Sequence, residues 1–327
     1  MISYQNRKIK NIFNHILRMR ETGIILPLII LLIVIGSVNK DFFAVNNLID
    51  VLRTVSYYFI IAAPLTCLVI SGCMDLSIGG VTALGGILCA WCINMGMPLI
   101  IAIIAALLIG ALVGFLNSRI VVKGKIHSFI ATLGTSYVIK GFILITTLGL
   151  PVLGFEESFK VLGQGKMLDT IYWTIIAALA IMVIFHLLLS RMKFGRAIYA
   201  VGGNEETARL SGINVQNTRT SLYILVSCFS VLTGIFMASR FNSAQPSAGI
   251  GTELTILASI IIGGTSIQGG SGSIVGTFFG CCLLSVIKNG LILMHVSSYW
   301  IDLIFGAILI VSLFIDKYRR SKTGSNS

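Results

Sequence analysis

This sequence has little charge. Only 11% of its 327 residues are Asp, Glu, Lys or Arg, where a soluble domain carries about 25%. Such a chain has no way to solvate an exterior in water. With 56% hydrophobic residues and a mean hydropathy of +0.94, its solvent is lipid. Lipid accepts apolar side chains but no unpaired backbone amide, which leaves helices or closed barrels. Barrel strands read as alternating segments of about 10 residues. The apolar runs here are long and unbroken, as in Leu99 to Phe115 and Thr174 to Leu189. The expected fold class is an all-α polytopic membrane protein.

Catalytic strings are missing as well. There is no G-x-x-x-x-G-K-[ST] phosphate loop, no H-E-x-x-H and no G-x-S-x-G. Gly163-Gln-Gly-Lys-Met167 resembles the first only superficially, because Met167 offers magnesium no hydroxyl. ATP, if used, must be hydrolysed by another chain. No paired nucleophile and base is evident, so the protein is not expected to be an enzyme, and no cofactor or metal is expected. A channel would need a repeated filter or a charged ring, which is also lacking. The four histidines, His15, His127, His186 and His295, are too scattered for a proton relay. Cys89-Ala-Trp-Cys92 has C-x-x-C spacing but no histidine or second pair nearby, and reads as a packed, inert pair.

The charge that is present is unevenly placed. The net +12 concentrates in Arg7 to Arg20, Arg119 to Lys125, Arg191 to Arg219 and Lys317 to Lys322. These clusters alternate with apolar stretches, as the positive-inside rule expects of cytoplasmic loops, and argue against nucleic acid as a partner. A crossing takes about 20 apolar residues. Spans are predicted at 24–38, 48–71, 78–95, 98–118, 128–148, 171–190, 220–240, 252–267, 273–293 and 299–315. The first apolar run lacks a small-residue cleavage site and reads as a retained span. The division is a basic cytoplasmic segment 1–22, a transmembrane domain 23–316 and a basic cytoplasmic tail 317–327. Both termini then lie inside, and the acidic stretch from Phe155-Glu156-Glu157 to Asp169 lies outside.

Glycine crowds two segments, Gly72 to Gly86 and Gly249 to Gly280. Small residues permit close helix packing in lipid and also the broken helices that line transport cavities. Both segments carry a Ser-Ile-(x)-Gly-Gly string, at Ser77 to Gly80 and Ser266 to Gly270, a hint of an internal repeat. Asp75, Lys140, Glu253, Lys288 and Asp302 fall within or at the edge of spans. A charge at the bilayer centre costs about 2.5–3.5 kcal/mol, so such residues face protein or water. Asp75, at a glycine-flanked break, is placed either to cap the following helix or to touch a passing solute. Lys140, near mid-span, calls for an internal partner or a water-filled path, whereas Lys288 and Asp302 lie near enough to helix ends to reach the interface. With Asp75, the polar candidates for a translocation path are Ser77, Asn117, Thr132, Thr135 and Asn289, each in or beside a span and able to hydrogen-bond.

The longest polar stretch between spans runs from Arg191 to Asn214. Asn204 is placed to cap a short helix beginning at Glu205, with Glu206 at its positive end, Ala208 and Leu210 on its apolar side and Gly212 as its stop. Such a helix reads equally as a partner-docking element or as an ordinary well-capped loop.

This loop resembles the cytoplasmic segment of the ribose-type permeases of bacterial ATP-binding-cassette importers, a family that also serves xylose, arabinose, galactose and autoinducer-2. The likeness continues in Asn46-Asn47-Leu48, Ser71-Gly-Cys-Met-Asp-Leu-Ser-Ile-Gly79, Phe129-Ile-Ala-Thr-Leu133 and Ser243-Ala-Gln-Pro-Ser-Ala-Gly249. It extends through Glu253-Leu254, Ile262-Gly-Gly-Thr-Ser-Ile-Gln-Gly-Gly-Ser-Gly272, Asn289-Gly290-Leu291 and Val296-Ser-Ser-Tyr299, in order over residues 22–316. The resemblance implies a permease subunit in a bacterial cytoplasmic membrane that imports a sugar or sugar-like solute. It implies a second permease subunit, a cytoplasmic ABC ATPase and an extracytoplasmic solute-binding protein as partners. It also implies that Gly195 to Gly212 forms the coupling helix seated in the ATPase, with Gly195, Arg196, Gly203, Asn204, Glu205, Glu206, Arg209 and Gly212 as its residues. Cys73-Met74 departs from the family's more usual Gly-Ile before Asp-Leu-Ser. An ion-coupled secondary carrier for a small polar solute is the alternative.

Overall fold

The computed structural model describes residues 22–155, 157–167, 170–297, 299–300, 303–308, 310–311 and 314. Asp302, Glu156, Asp169 and the basic clusters Arg7 to Arg20 and Lys317 to Lys322 lie outside the described residues. The protein is an all-α polytopic membrane protein. The chain forms α1 (Thr22–Val38), a 3-10 turn (Lys40–Phe43), α2 (Val45–Ile70), α3 (Ile78–Asn94) and α4 (Leu99–Ser118), which runs on as a π turn (Arg119–Lys123). Then come α5 (Ser128–Thr147), a short α6 (Glu157–Gln164) and a two-residue hairpin of β1 (Lys166–Met167) and β2 (Ile171–Tyr172). The rest is α7 (Trp173–Arg191), α8 (Lys193–Gly203), α9 (Glu205–Leu210), α10 (Val215–Phe241), α11 (Thr252–Ile262) and α12 (Ile274–Leu293).

Among the described residues, six stretches are long and apolar enough to cross a membrane: α2, α4 with its π turn, α5, α7, α10 and α12. α1, α3 and α11 are shorter apolar helices. The outer helices turn Ile, Leu and Val outward, as at Ile100, Leu108, Ile145 and Val183, which is the normal surface of a bundle solvated by acyl chains. α2 is the exception: it is buried along almost its whole length and sits at the centre of the main core with α7, α10, α11 and α12. A second core joins α3, α4 and α10.

Two departures from the sequence expectations concern the glycine-rich segments. The eighth span was expected over 252–267, but α11 stops at Ile262, because Gly263 and the left-handed Gly264 (φ 85°) turn the chain back along α12. The two Ser-Ile-(x)-Gly-Gly strings also take different conformations. Ser77 to Gly80 opens α3, while Ser266 to Gly270 is an irregular turn beside the end of α2. They are not equivalent parts of a repeat. Glycine's role at α3 and α10 is close approach. Gly234 packs directly on the Thr82 carbonyl, leaving no room for a methyl group.

Candidate functional site

The chain leaves helical geometry between Ile70 and Ile78, inside the bundle, and the polar candidates gather there. Backbone groups freed by such a break must find partners. Leu76 N–H donates to Thr132 Oγ1 at 2.9 Å and Met74 N–H to Ser128 Oγ at 3.2 Å, so α5 satisfies one side of the break. On the other side Tyr223 of α10 donates its hydroxyl to the Met74 carbonyl at 3.0 Å. Asp75 Oδ1 accepts from Ser77 N–H at 2.8 Å and from Ser77 Oγ at 2.6 Å. It therefore acts just ahead of α3, three residues before the first helical position, Ile78, and fixes the N-cap residue Ser77. Asn117 then donates to Ser77 Oγ at 2.9 Å and accepts from Thr135 Oγ1 at 2.7 Å.

Five of the six path candidates, Asp75, Ser77, Asn117, Thr132 and Thr135, thus stand in one place where α3, α4 and α5 meet. Asp75 is 1% exposed, and its second oxygen, Oδ2, has no hydrogen-bond partner among the described residues. Asn289 does not join them. It exchanges two hydrogen bonds with Asn47, at 3.0 and 2.8 Å, and ties α12 to the start of α2. That contact sets it apart from the other five candidates.

The other ionisable groups find internal surroundings. Lys140 lies close enough to Glu253 for their charges to attract, and Glu253 Oε2 is buried against Gly79 at the start of α3. Lys288 was expected to reach the interface; instead its ammonium donates to the Tyr58 hydroxyl at 3.1 Å. Cys89 and Cys92 both lie in α3 as free thiols.

A cavity of about 880 Å³ opens beside the break. Gly72, Cys73 and Ser128 line it on one side, Lys125 and His127 at the α4–α5 turn, and Glu205, Arg209 and Arg219 on the other. The Arg119 to Lys125 and Arg191 to Arg219 clusters therefore share one end of the bundle.

The Gly195 to Gly212 segment forms two helices instead of one, because Asn204 is extended (φ −157°, ψ 112°) between α8 and α9. Asn204 Oδ1 accepts from Thr207 N–H at 2.9 Å, capping α9 at Glu205 as its sequence predicts. Gly212 follows with φ 81°. Ala208 is buried with Val201 and Val215, but Leu210 is 84% exposed and is not on the packed side. Gly203, Asn204, Glu206, Arg209 and Gly212 are exposed, as is Arg196 on α8, whereas Gly195 is buried where α8 folds back against Leu188 and Leu189. Glu205 is half-buried and pairs with Arg209 at 3.0 Å and with Arg219 at 2.7 Å. Arg219, Ser128, Tyr223 and Asn47 were not singled out from sequence. Arg219 and Tyr223 stand four apart at the start of α10, and that spacing on one helix face was the available signal.

A family of transport-system proteins, described as the permease component of branched-chain amino acid transport systems, matches residues 47–313. The chain belongs to this permease family. The permease is 36% identical over 301 residues to the ribose import permease protein RbsC of Haemophilus influenzae, covering 91% of this chain and 93% of the relative. The corresponding protein of Bacillus subtilis is 37% identical over 301 residues, with the same coverage. The autoinducer 2 import system permease protein LsrC of Shigella flexneri is 31% identical over 299 residues, covering 91% of this chain and 86% of its own. No solved structure gives a significant match. The permease is accordingly a multi-pass membrane transport component and not an enzyme.

Proposed function

We propose that this permease carries a sugar or sugar-like solute across the bacterial cytoplasmic membrane as one subunit of an ATP-binding-cassette importer. A separate ABC ATPase energises it, an extracytoplasmic binding protein supplies it, and a second permease subunit, identical or a sister chain, completes the membrane unit. The observation that carries this reading is the combination of a hydrogen-bonded polar break within the bundle and a capped helix, α9, presented at the basic end beside it. The exposed Glu206, Arg209 and Leu210 offer a motor protein a surface to grip, and the irregular backbone at 71–77 is of the kind transporters place along a solute route. The remaining reading extends the same topology. A tenth span follows α12, with residues 303–308 already helical. Both termini, residues 1–22 and 317–327, lie in the cytoplasm with the basic loops, outside the transmembrane domain 23–316.

The test is uptake into proteoliposomes. Radiolabelled pentoses and hexoses accumulate only when the cognate ATPase, ATP and the binding protein are all present. Uptake driven by an ion gradient in vesicles without the ATPase overturns the proposal and establishes a secondary carrier.

A further inference from the structure

Arg219 touches two parts of the molecule that are 134 residues apart in the chain and belong to different machinery. Its Nη1 donates to Glu205 Oε2 of α9 at 2.7 Å. Its Nε and Nη2 donate to the Ser71 carbonyl at 3.3 and 3.1 Å, at the end of α2 where the polar break begins. A planar guanidinium makes both contacts from one rigid fork, which an ammonium does not reproduce. Four residues on, Tyr223 holds the Met74 carbonyl at 3.0 Å. One face of α10 thus brackets the Gly72-Cys73 turn from both sides. Gly270 N–H, at 2.8 Å from the Ile70 carbonyl, fixes the turn's near edge from the α11–α12 loop. On the other flank of α9 and Arg219 lies the 880 Å³ cavity, so open space adjoins Glu205 and Arg219, and only Ala208 of α9 is packed, against Val201 and Val215.

We propose that Arg219 is the positioning residue that transmits movement of α9 to the polar break, gripping the Ser71 carbonyl while Glu205 holds its guanidinium. When α9 is drawn away, Glu205 leaves, Arg219 loses its anchor, and the segment carrying Cys73, Met74 and Asp75 is released toward the cavity. This rests on the importer reading above, in that the pull on α9 comes from an ATPase.

The test uses the natural Cys73, which is 5% exposed and lines the cavity, with the fully buried Cys281 as an internal control. The full-length purified protein is treated with N-ethylmaleimide, and modification of each thiol is followed by peptide mass spectrometry. Glu205→Gln and Arg219→Gln are expected to raise the rate at Cys73 by about fivefold or more, Arg219→Lys by less, with Cys281 unchanged. The reversed pair Glu205→Arg/Arg219→Glu is informative because it restores the charge pair but turns a carboxylate toward the Ser71 carbonyl, so Cys73 is expected to stay reactive. Unchanged labelling of Cys73 in both Gln variants overturns the inference. So does a parallel rise at Cys281, which marks general loosening, or full protection in the reversed pair, which reduces Arg219 to a simple charge partner. Whether the wild-type chain retains an ABC ATPase on an affinity column is measured separately, so failure of the importer reading is distinguishable from failure of this one.

Discussion

Asn117 donates from Nδ2 to Ser77 Oγ over 2.9 Å and so joins the end of α4 to the start of α3. Both residues are completely buried. The bond is the middle link of a chain that runs from Asp75 through Ser77 and Asn117 to Thr135. Its geometry explains why a strongly apolar chain keeps polar side chains at this depth. Each one answers a donor or acceptor that would otherwise be stranded where three helices converge.

Asp75 anchors one end of that chain, and its removal is expected to act first on folding. Asp75→Ala strands both the Ser77 amide and the Ser77 hydroxyl, at about 1–3 kcal/mol per buried group left without a partner. Membrane abundance and thermal stability in detergent should fall, while the surviving protein keeps its solute preference. Normal abundance with an altered substrate profile would reverse the assignment and make Asp75 a solute contact.

Thr135 supplies a gentler perturbation. Thr135→Val keeps the shape but deletes the donor to Asn117 Oδ1, which is expected to cost about 1 kcal/mol. Combined with Asn117→Ala, the two losses should be less than additive by an amount readable in a double-mutant cycle of detergent unfolding. Strict additivity would show that the 2.7 Å contact carries no coupling.

How much of this was legible in the sequence depends on the range of the signal. Long apolar runs specify long helices, and all six long crossings coincide with predicted spans. Asn204 followed by Glu205 and Glu206 is a local capping pattern, and it was readable because cap and amide lie three residues apart. The contact of Asn289 was hidden for the opposite reason. Its partner, Asn47, is 242 positions away, and nothing in the span around Asn289 distinguishes a helix-tying amide from a path-lining one. The early stop of α11 depended on whether Gly263 and Gly264 continue a helix or turn it. That choice is made by packing, since Gly263 lies against the backbone of Gly276 on the neighbouring helix.

Adjacent glycines at the end of α8 offer a matched pair. Gly202 sits directly on the Ile70 carbonyl and beside Gly270 N, whereas a methyl group at Gly203 would meet nothing within 4 Å. Gly202→Ala should separate α8 from the end of α2 and destabilise by about 1–3 kcal/mol, the usual range for overpacking. Gly203→Ala should be neutral in stability, because an exposed alanine is at least as good a helix former. Unfolding midpoints in detergent decide the point, and equal midpoints for the two variants would show that the Gly202 contact is not tight.

The exposed edge of α9 is expected to matter for partner binding and not for folding. Glu206 contacts the bundle little, so Glu206→Lys leaves the core intact while reversing the charge presented beside Leu210. Gly203→Pro acts differently, removing an amide from the last turn of α8 and obstructing the turn before it, which redirects the chain into Asn204 and α9. Both variants should insert into the membrane at wild-type levels and lose the ABC ATPase in an affinity pull-down from reconstituted membranes. Glu206→Gln, which removes charge without reversing it, should retain part of the binding, as a salt-screened surface contact does. Recovery of the ATPase at wild-type yield with both Glu206→Lys and Gly203→Pro would mean that the motor grips some other part of the basic end.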